Sequence, residues 1–422
     1  MPVEADWPLS EGEDAFLLHV ASAYWTKNPN RFGVAVSGGS DSMAALHLMV
    51  RVGASLGWVV AAVTVDHQLR AEAAQEAQFV AETCRRLGVS HDVLRWEHGE
   101  ISGNLQDQAS RARYGLIANW AKVRGISDVV LGHTADDQAE TFLMGLAREA
   151  GLDGLTGMRR SWEAGGVRFH RPFLLTERAG LRGYLVRNEA GWIDDPSNED
   201  VRFTRVKARR VLKALRPLGI TVAKLSGTIV NLSMARQVVV ESVSGGARKI
   251  SQQLAGEIIL DRTEFQRLSP EVERRLLITS LRWVSGAEYV PRADAVIRLQ
   301  VAIRNGRNTT LSGCRIRVTD TEVRVVREPR AVASQVCPPD QLWDNRWRVD
   351  GPSEPGLEVR ALSAAGLRAC KDWRATGHSR DVLLVSPAIW RGEVLVAAPL
   401  AGFANGWTAR INAGFASFII SH

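Results

Sequence analysis

The chain has 422 residues, which at roughly 150 residues per domain is enough for two or three domains. Apolar residues make up 45% and charged residues 23%, as in an ordinary globular protein rather than a disordered or fibrous chain. Basic residues number 53 and acidic residues 46, for a net charge of +7. The longest uncharged apolar stretches, such as 58–65, are far shorter than the roughly 20 residues of a membrane span, so we expect no association with a membrane.

The N-terminal residues and the cysteines bear on localisation and redox chemistry. The start of the chain is rich in acidic residues, unlike a secretory signal or a transit peptide, so we expect a cytoplasmic protein. Cysteines stand singly and form no C-x-x-C pair, which argues against a disulfide framework or a structural zinc site. These cysteines are Cys84, Cys314, Cys337 and Cys370. The sequence leaves the oligomeric state open, a homodimer included.

The first half of the chain alternates β-branched runs with helical periodicity. We predict strands at 31–36, 58–65, 89–96 and 128–132, and helices at 42–55, 71–87, from 104 onward and at 135–149. This alternation is typical of an α/β fold, a parallel sheet with helices on both faces. Functional sites in such sheets lie beyond the carboxyl ends of the strands, so the loops after the strands are the candidates.

The pattern changes twice in the second half. Beyond residue 216 it is helical, as at 269–283 and 291–303, and from residue 309 it alternates as in β-strands. We therefore predict three domains, namely 1–216, a small helical domain at 217–308 and a β-rich C-terminal domain at 309–422.

The loop after the first predicted strand has the composition of an anion-binding loop. It reads Ser37, Gly38, Gly39, Ser40, Asp41 and Ser42. A loop between a buried strand and a helix directs backbone N–H groups and the helix dipole at an anion, and an adjacent carboxylate can hold Mg²⁺. It is not a Walker A loop, because no lysine in the chain follows a glycine. The alternative is an ordinary Gly- and Ser-rich turn.

An acidic block follows the fourth predicted strand. Asp137 and Glu140 are three residues apart on the predicted helix, so they share a face and point toward the same loops as Asp41. Two such carboxylates can hold a metal, bind an ammonium group or accept a proton from an attacking amine. The alternative is a solvated helix N-terminus, which favours acidic residues in any case. Other candidates for lining the site are His67, His133 and Asp136, although a structural role is as probable for the two histidines.

A basic stripe lies at the end of the first predicted domain. Its helical spacing aligns the charges along one face, and no acidic residue interrupts it. The residues are Arg202, Arg205, Lys207, Arg209, Arg210, Lys213 and Arg216. Such a stripe fits RNA contact, with Arg202, Arg205, Lys207, Arg209 and Lys213 as the candidates. A solvated helix face is the alternative.

These blocks carry a resemblance to a known family. The loop at 37–42 resembles that of the N-type ATP pyrophosphatases, the PP-loop superfamily with an adenine nucleotide α-hydrolase-like fold. Further blocks at 65–70, 131–141, 171–174, 192–198 and 203–205 resemble the tRNA(Ile)-lysidine synthase family. The resemblance implies an ATP-dependent ligase. Such an enzyme adenylates C2 of the wobble cytidine in the CAU anticodon of tRNA(Ile), converting ATP to AMP and pyrophosphate, and L-lysine then displaces AMP to form lysidine. The codon read changes from AUG to AUA.

The resemblance also implies roles for the candidate residues. The loop at 37–42 would bind ATP, Asp41 would hold Mg²⁺, and Asp137 and Glu140 would bind or activate lysine. Arg113 and Arg205 would stabilise phosphate charge or hold the anticodon loop, and the second and third domains would bind the rest of the tRNA. No tightly bound organic cofactor is implied.

Two positions depart from the family pattern. Val206 stands where the family usually has asparagine, and Ser110 replaces an arginine that Arg111 would have to supply. Another PP-loop enzyme, either a small-molecule ligase or amidotransferase or a tRNA thiolation enzyme, is the alternative. A small-molecule enzyme would not predict the basic stripe, and thiolation enzymes usually carry paired or catalytic cysteines.

Overall fold

The structure is a computed structural model. It describes residues 12–25, 29–66, 73–97, 105–194, 204–287, 289–352 and 354–421. The chain forms two compact units, Met1–Arg236 and Gln237–His422. The division into three domains stays a prediction.

A six-stranded sheet forms the centre of the first unit. Its strands are β1 (Arg31–Ala35), β2 (Val59–Asp66), β3 (Ser90–Arg95), β4 (Asp128–Leu131), β5 (Ser161–Ala164) and β6 (Val167–His170), in the order β3-β2-β1-β4-β6-β5. All neighbouring pairs are parallel except β5 with β6, which are antiparallel. The four predicted strands are confirmed. The β5–β6 hairpin was not predicted, although its turn residues Gly165 and Gly166, both with positive φ, are a hairpin signal.

Helices cover both faces of this sheet, as predicted. They are α1 (Glu13–Ala23), α2 (Ser40–Leu56), α3 (Ala73–Arg86), α4 (Leu105–Val123), α5 (Ala135–Leu146), α6 (Leu152–Leu155), α7 (Arg178–Arg187) and α8 (Thr204–Leu215). One core joins α1, α2 and α7 to the sheet and contains Phe32, Met43 and Tyr184. A second core, with Ile117 of α4 and Phe169 of β6, lies against the other face. The boundary between the two units falls within α9 (Val222–Ile250).

The second unit is rich in antiparallel strands. They are β7 (Ser251–Leu254), β8 (Glu257–Asp261), β9 (Thr309–Leu311), β10 (Cys314–Val318), β11 (Glu322–Arg327), β12 (Trp347–Asp350), β13 (Glu358–Ala361), β14 (Pro387–Arg391), β15 (Val394–Ala397) and β16 (Thr408–Ile411). One sheet has the order β7-β8-β11-β10-β9, and two smaller sheets join β12 with β16 and β13 with β14 and β15. Strands β7 and β8 lie in the segment 217–308, where few strand signals were found.

The helices of the second unit are mostly short. They are α10 (Arg262–Gln266), α11 (Pro270–Ser285), α12 (Ala293–Arg304), α13 (Pro329–Val332), α14 (Ser363–Ala369), α15 (Arg380–Leu384) and α16 (Phe415–Ser421). Across the described residues, no single helix is long and apolar enough to cross a membrane; the segments 204–218 and 222–250 meet that criterion only as a pair, bent by 99°.

The strand order places a crevice at β1. Strand β1 lies between β2 and β4, so the connections from β1 and β4 leave at the point where the order reverses, which is where ligands bind in open α/β sheets. Gly132, directly after β4, approaches the start of α2. A Cβ at this glycine would lie 2.7 Å from the backbone oxygen of Asp41. The close approach therefore requires glycine, and it brings the loops after β1 and β4 together.

Candidate active site

The loop at 37–42 is held by its own hydroxyl groups. Ser42 Oγ accepts a hydrogen bond from the Ser37 backbone N–H (3.1 Å) and donates to the Gly39 carbonyl oxygen (3.0 Å). Gly38 has a φ of 86°, a left-handed conformation that favours glycine. Its carbonyl oxygen accepts from the Ile193 N–H (2.9 Å). The first N–H groups of α2, which have no partner within the helix, therefore lie beside a fixed loop, as an anion site requires.

A cavity of about 340 Å³ opens beside this loop at the ends of β1, β2 and β4. Apolar residues such as Val36, Val63 and Leu131 form about half of its walls, and polar residues, Arg113 and His133 among them, form the rest. The Nε of Arg113 is buried and has no hydrogen-bond partner in the structure. Apolar surface combined with polar groups that face one space is typical of a site for a small molecule such as a nucleoside.

His133 lines this cavity with an uncharged side chain. Its Nδ1 lies 3.1 Å from Arg171 Nε, which can only donate, so Nδ1 accepts and carries no proton. Burial lowers the pKa of His133 well below its ordinary value, and the charge of Arg171 lowers it further. The imidazole is therefore uncharged at neutral pH.

A larger cavity of about 1120 Å³ adjoins the first and shares Ser37, Ser42, Gly132 and His133 with it. This cavity brings together most of the charged candidates. Its acidic lining residues are Asp41, Asp136, Asp137, Glu140 and Asp194, and its basic ones are Arg178, Arg182, Arg209, Arg210, Lys213 and Arg216. The acids predicted after β1 and β4 thus line the same space.

Two of the three carboxylates of α5, those of Asp137 and Glu140, are buried and paired with arginines of α8. Asp137 Oδ2 accepts from the backbone N–H and the hydroxyl of Thr134, both at 2.9 Å, which fixes the start of the helix. Asp137 Oδ1 accepts from Arg205 Nη1 at 3.0 Å. Glu140 Oε1 accepts from Arg209 Nε at 2.5 Å. Glu140 Oε2 is buried and makes no hydrogen bond in the structure, and Arg205 Nη1 lies 3.7 Å from it.

Arg178, at the start of α7, joins all three carboxylates. Its Nε donates to Asp41 Oδ2 at 2.7 Å, and its other nitrogens lie 3.6 Å from Asp137 Oδ2 and 3.9 Å from Glu140 Oε1. Its backbone N–H donates to Asp136 Oδ2 at 2.7 Å. Six of these side chains form what we call the ion-pair cluster. They are Asp41, Asp137, Glu140, Arg178, Arg205 and Arg209. Sequence reasoning missed Arg178, because no motif distinguishes it among many arginines.

Burial and charge act against each other on these acids. Burial raises the pKa of Asp41 and of Glu140, and the neighbouring arginines only partly offset this effect. Burial also acts on Asp137, but Arg178, the Thr134 N–H and Arg205 outweigh it and lower the pKa of Asp137. The cluster thus holds a firmly ionised carboxylate beside two that take up a proton more readily.

Most residues of the basic stripe lie on α8. Only some of them contact the acidic side chains of the ion-pair cluster. Arg205 and Arg209 pair with the cluster, whereas Lys207 is exposed and is not among the residues that line the larger cavity. Arg202 and His67 lie outside the described residues.

Of the two departures from the family pattern, Val206 lines a cavity, whereas Ser110 lines neither of the two. Val206 is buried and lines the larger cavity, so it presents an apolar wall where the family has an amide. On α4, Arg113 lines the smaller cavity, whereas Arg111 is exposed and is not part of that lining.

Comparison with known proteins identifies the family of this chain. The PP-loop domain model matches residues 13–215. A tRNA(Ile)-lysidine synthase of Ruegeria pomeroyi is 42% identical over 417 residues, covering 98% of this chain and 100% of that protein. One of Wolbachia pipientis wMel is 33% identical and covers 78% of this chain and 79% of that protein. Among solved structures, the U34-tRNA thiolase NcsA of Methanococcus maripaludis is 13% identical, with a TM-score of 0.45, over 52% of this chain and 78% of that one.

The similarity to the Ruegeria protein extends well beyond the motifs at 31–210 and includes the second unit. The PP-loop match covers the loop, the acidic block and most of the basic stripe. This chain therefore belongs to the tRNA(Ile)-lysidine synthase family of PP-loop ATP-dependent ligases.

Proposed function

We propose that this protein joins L-lysine to C2 of the wobble cytidine in the CAU anticodon of tRNA(Ile). ATP first adenylates the C2 oxygen and releases pyrophosphate, and the lysine ε-amine then attacks C2 and expels AMP. The observation that carries the proposal is the ion-pair cluster beside the loop at 37–42, because it supplies carboxylates for an amine and guanidinium groups for phosphates within one cavity. An enzyme with these substrates would act in the cytoplasm.

ATP would occupy both cavities. Its adenosine would enter the smaller cavity between the strand ends, and its phosphates would lie along the loop at 37–42. The backbone N–H groups at the start of α2 would bind the leaving pyrophosphate. Arg113, with an unpartnered Nε in the wall of the smaller cavity, would donate to the α-phosphate or to the adenylated base.

Asp41 would hold the Mg²⁺ that accompanies ATP. Among the described residues, no group of three or more His, Cys, Asp or Glu side chains is arranged to bind a metal. Magnesium carried by a nucleotide needs one or two protein carboxylates, because the phosphates supply further ligands. Asp41 Oδ2 is paired with Arg178, and Oδ1 accepts from the Ser40 hydroxyl at 3.2 Å. The metal would offset phosphate charge, with Oδ1 as its protein ligand.

Lysine would bind at Asp137 and Glu140. An ammonium group needs acceptors, and Glu140, which lines the larger cavity, has an Oε2 that makes no hydrogen bond in the structure and lies 3.7 Å from Arg205 Nη1. The attacking amine must be neutral when it reacts, so it has to lose a proton. Glu140 is suited to accept this proton because burial raises its pKa.

The tRNA would contact α8 through its basic side chains. The candidates are Arg205, Lys207, Arg209 and Lys213, with Arg202 immediately before the helix. Guanidinium and ammonium groups on one helix face would bind phosphates of the anticodon stem-loop. This would bring the wobble base to the cavity that holds ATP and lysine.

The alternative of a thiolation enzyme finds no support among the cysteines. None of the four lines either cavity. Burial raises the pKa of the Cys84 thiol to about 11 and that of the Cys314 thiol to about 12, which disfavours the thiolate needed for sulfur chemistry. A small-molecule ligase would leave the exposed members of the basic stripe without a substrate to contact.

Incubation with ATP, radiolabelled lysine and an isoleucine tRNA with a CAU anticodon tests the function. We expect label in the tRNA together with AMP and pyrophosphate in equal amounts. An initiator methionine tRNA, which has the same anticodon, serves as the specificity control and should remain unlabelled. Equal labelling of both tRNAs, or pyrophosphate release without label, would contradict the proposal.

A matched pair of variants tests the site. Asp137→Asn removes a buried carboxylate of the cluster, whereas Asp153→Asn changes an exposed aspartate of α6. We expect lysine incorporation to fall at least a hundredfold in the first and to stay near the wild-type rate in the second. A similar rate for both variants would remove Asp137 from the reaction.

A further inference from the structure

The carboxylates proposed to bind lysine are already occupied by cations of the chain itself. Arg205 Nη1 lies 3.0 Å from Asp137 Oδ1, and Arg209 Nε lies 2.5 Å from Glu140 Oε1. Counting Arg178 and Asp41, the ion-pair cluster holds three carboxylates against three guanidinium groups. Its formal charge is zero, so these six side chains together offer a lysine ammonium no net attraction in the free protein.

The cations that occupy the site are the ones proposed to bind RNA. Arg205 and Arg209 are four residues apart on α8, and their side chains are 44% and 28% exposed, so a ligand can reach both from the solvent. A phosphate group offers a guanidinium a strong, bidentate, charge-assisted partner. RNA and the carboxylates therefore compete for the same two side chains.

Arg178 differs from these two arginines. It begins another helix, its side chain is 21% exposed, and it contacts all three carboxylates. If phosphates take the two arginines of α8 while Arg178 stays, three carboxylates face one guanidinium. The cluster then has a formal charge of −2, which attracts a lysine ammonium into the space that the arginines leave.

We propose that Arg205 and Arg209 occupy the lysine site of the free enzyme, and that RNA binding opens this site by moving the two side chains onto phosphates. The proposal rests on the proposed function and adds an order to it: lysine binds well only after the tRNA. Because coupling between two sites is reciprocal, bound lysine must tighten tRNA binding by the same factor.

Equilibrium dialysis of radiolabelled lysine tests this coupling. The full-length protein is used without ATP, so no turnover occurs, and with or without a saturating isoleucine tRNA bearing a CAU anticodon. We expect lysine to bind roughly tenfold more tightly in the presence of the tRNA. The tRNA affinity, measured by fluorescence anisotropy, should rise by an equal factor at saturating lysine.

Two variants separate this mechanism from a general effect of charge. Arg209→Gln uncovers Glu140 and should bind lysine several-fold more tightly than the wild type in the absence of tRNA, with a smaller further gain when tRNA is added. Arg85→Gln removes the same charge from α3, at a side chain that is 74% exposed and lines neither cavity. Its lysine affinity without tRNA should equal that of the wild type. Arg205→Gln, which uncovers Asp137, provides a second test if Arg209→Gln fails to fold by circular dichroism.

The outcomes distinguish this inference from the proposed function. Equal lysine affinity with and without tRNA, in a protein that still incorporates lysine into tRNA, would overturn the coupling and leave the function intact. Equal lysine affinity of Arg209→Gln and the wild type would also overturn it. A protein that neither binds lysine nor labels the tRNA would refute both.

Discussion

Arg178 Nε donates to Asp41 Oδ2 at 2.7 Å and so connects the first turn of α7 to the first turn of α2. The two residues are 137 positions apart in the chain. Through this contact the carboxylate expected to hold Mg²⁺ becomes part of the same charged network as the carboxylates of Asp137 and Glu140 in α5. The pKa of Arg178 is raised because these carboxylates outweigh its burial. Arg178 is therefore positively charged at neutral pH.

The first prediction concerns this charge. Arg178→Gln should lower the free energy of unfolding by about 3 kcal/mol, because it leaves buried carboxylates without their shared cation. The measurement is urea unfolding followed by circular dichroism. Arg187→Gln is the matched control, since Arg187 lies on the same helix and pairs with the acidic residues Glu13 and Asp14 at an exposed position. It should have only the small effect of an exposed ion pair. Equal effects of the two substitutions would contradict a central role for Arg178.

The second prediction concerns Gly132, where the loops after β1 and β4 approach each other. Gly132→Ala would place a Cβ 2.7 Å from the backbone oxygen of Asp41, and backbone atoms there cannot move without displacing the loop at 37–42. We expect tRNA-dependent pyrophosphate release to fall at least tenfold and the stability to fall by about 1–3 kcal/mol. Gly115→Ala on α4, where a Cβ meets nothing within 4 Å, should be neutral or slightly stabilising. A Gly132→Ala enzyme with normal pyrophosphate release would show that the loop tolerates displacement.

The third prediction concerns pH and His133. Burial lowers the pKa of this residue in the folded state below the ordinary value of 6.5, so below pH 6.5 the unfolded chain binds the extra proton and the folded protein does not. Stability contributed by neutral His133 is therefore present above pH 6.5 and is lost as the pH falls, by at most about 1.4 kcal/mol for each pH unit.

His133→Asn is the variant that isolates this effect. Its side-chain oxygen keeps an acceptor for Arg171 but does not titrate. Unfolding free energies measured for both proteins from pH 7.5 to 5 should converge as the pH falls, because only the wild type loses the contribution of His133. Parallel profiles would show that His133 takes up its proton equally in the folded and unfolded states.

The fourth prediction concerns Glu257 in the second unit. Its effect on stability has the opposite pH dependence to that of His133. Its side chain is buried, Oε2 has no hydrogen-bond partner, and Arg324 Nη1 lies 3.4 Å from Oε1. Burial raises the pKa of Glu257 to about 7 from an ordinary value of 4.5, so stability is lost as the pH rises toward and through 7.

Glu257→Gln should remove this loss. It should be more stable than the wild type by roughly 2–3 kcal/mol at pH 8.5 and similar to it at pH 4, as measured by urea unfolding. Glu264→Gln, at a more exposed position of the same unit, should show no such gain. A Glu257→Gln protein that is less stable at pH 8.5 would mean that the ion pair with Arg324 outweighs the cost of burial.

Local patterns in the sequence predicted most of the fold of the first unit. The alternation of β-branched and amphipathic segments predicted four strands and the helices after them, because each depends on the spacing of apolar residues within one segment. The spacing of Asp137 and Glu140 likewise placed both carboxylates on one helix face. The antiparallel β5–β6 pair and the strands β7 and β8 were missed because they are short and depend on partners elsewhere in the chain.

The sequence by itself determined the parallel sheet, the loop at 37–42 and the presence of acidic and basic faces next to it. Only the tertiary structure decided which charges meet. Arg178 carries no motif, and its role follows from packing that brings α7 against α2. The pairing of Arg205 and Arg209 with Asp137 and Glu140 could not be predicted from the sequence either. The spacing of residues along a helix defines a face, but it does not show what that face contacts. Contacts between distant segments are set by how helices pack on the sheet, and this packing made the proposed RNA and lysine residues each other's partners.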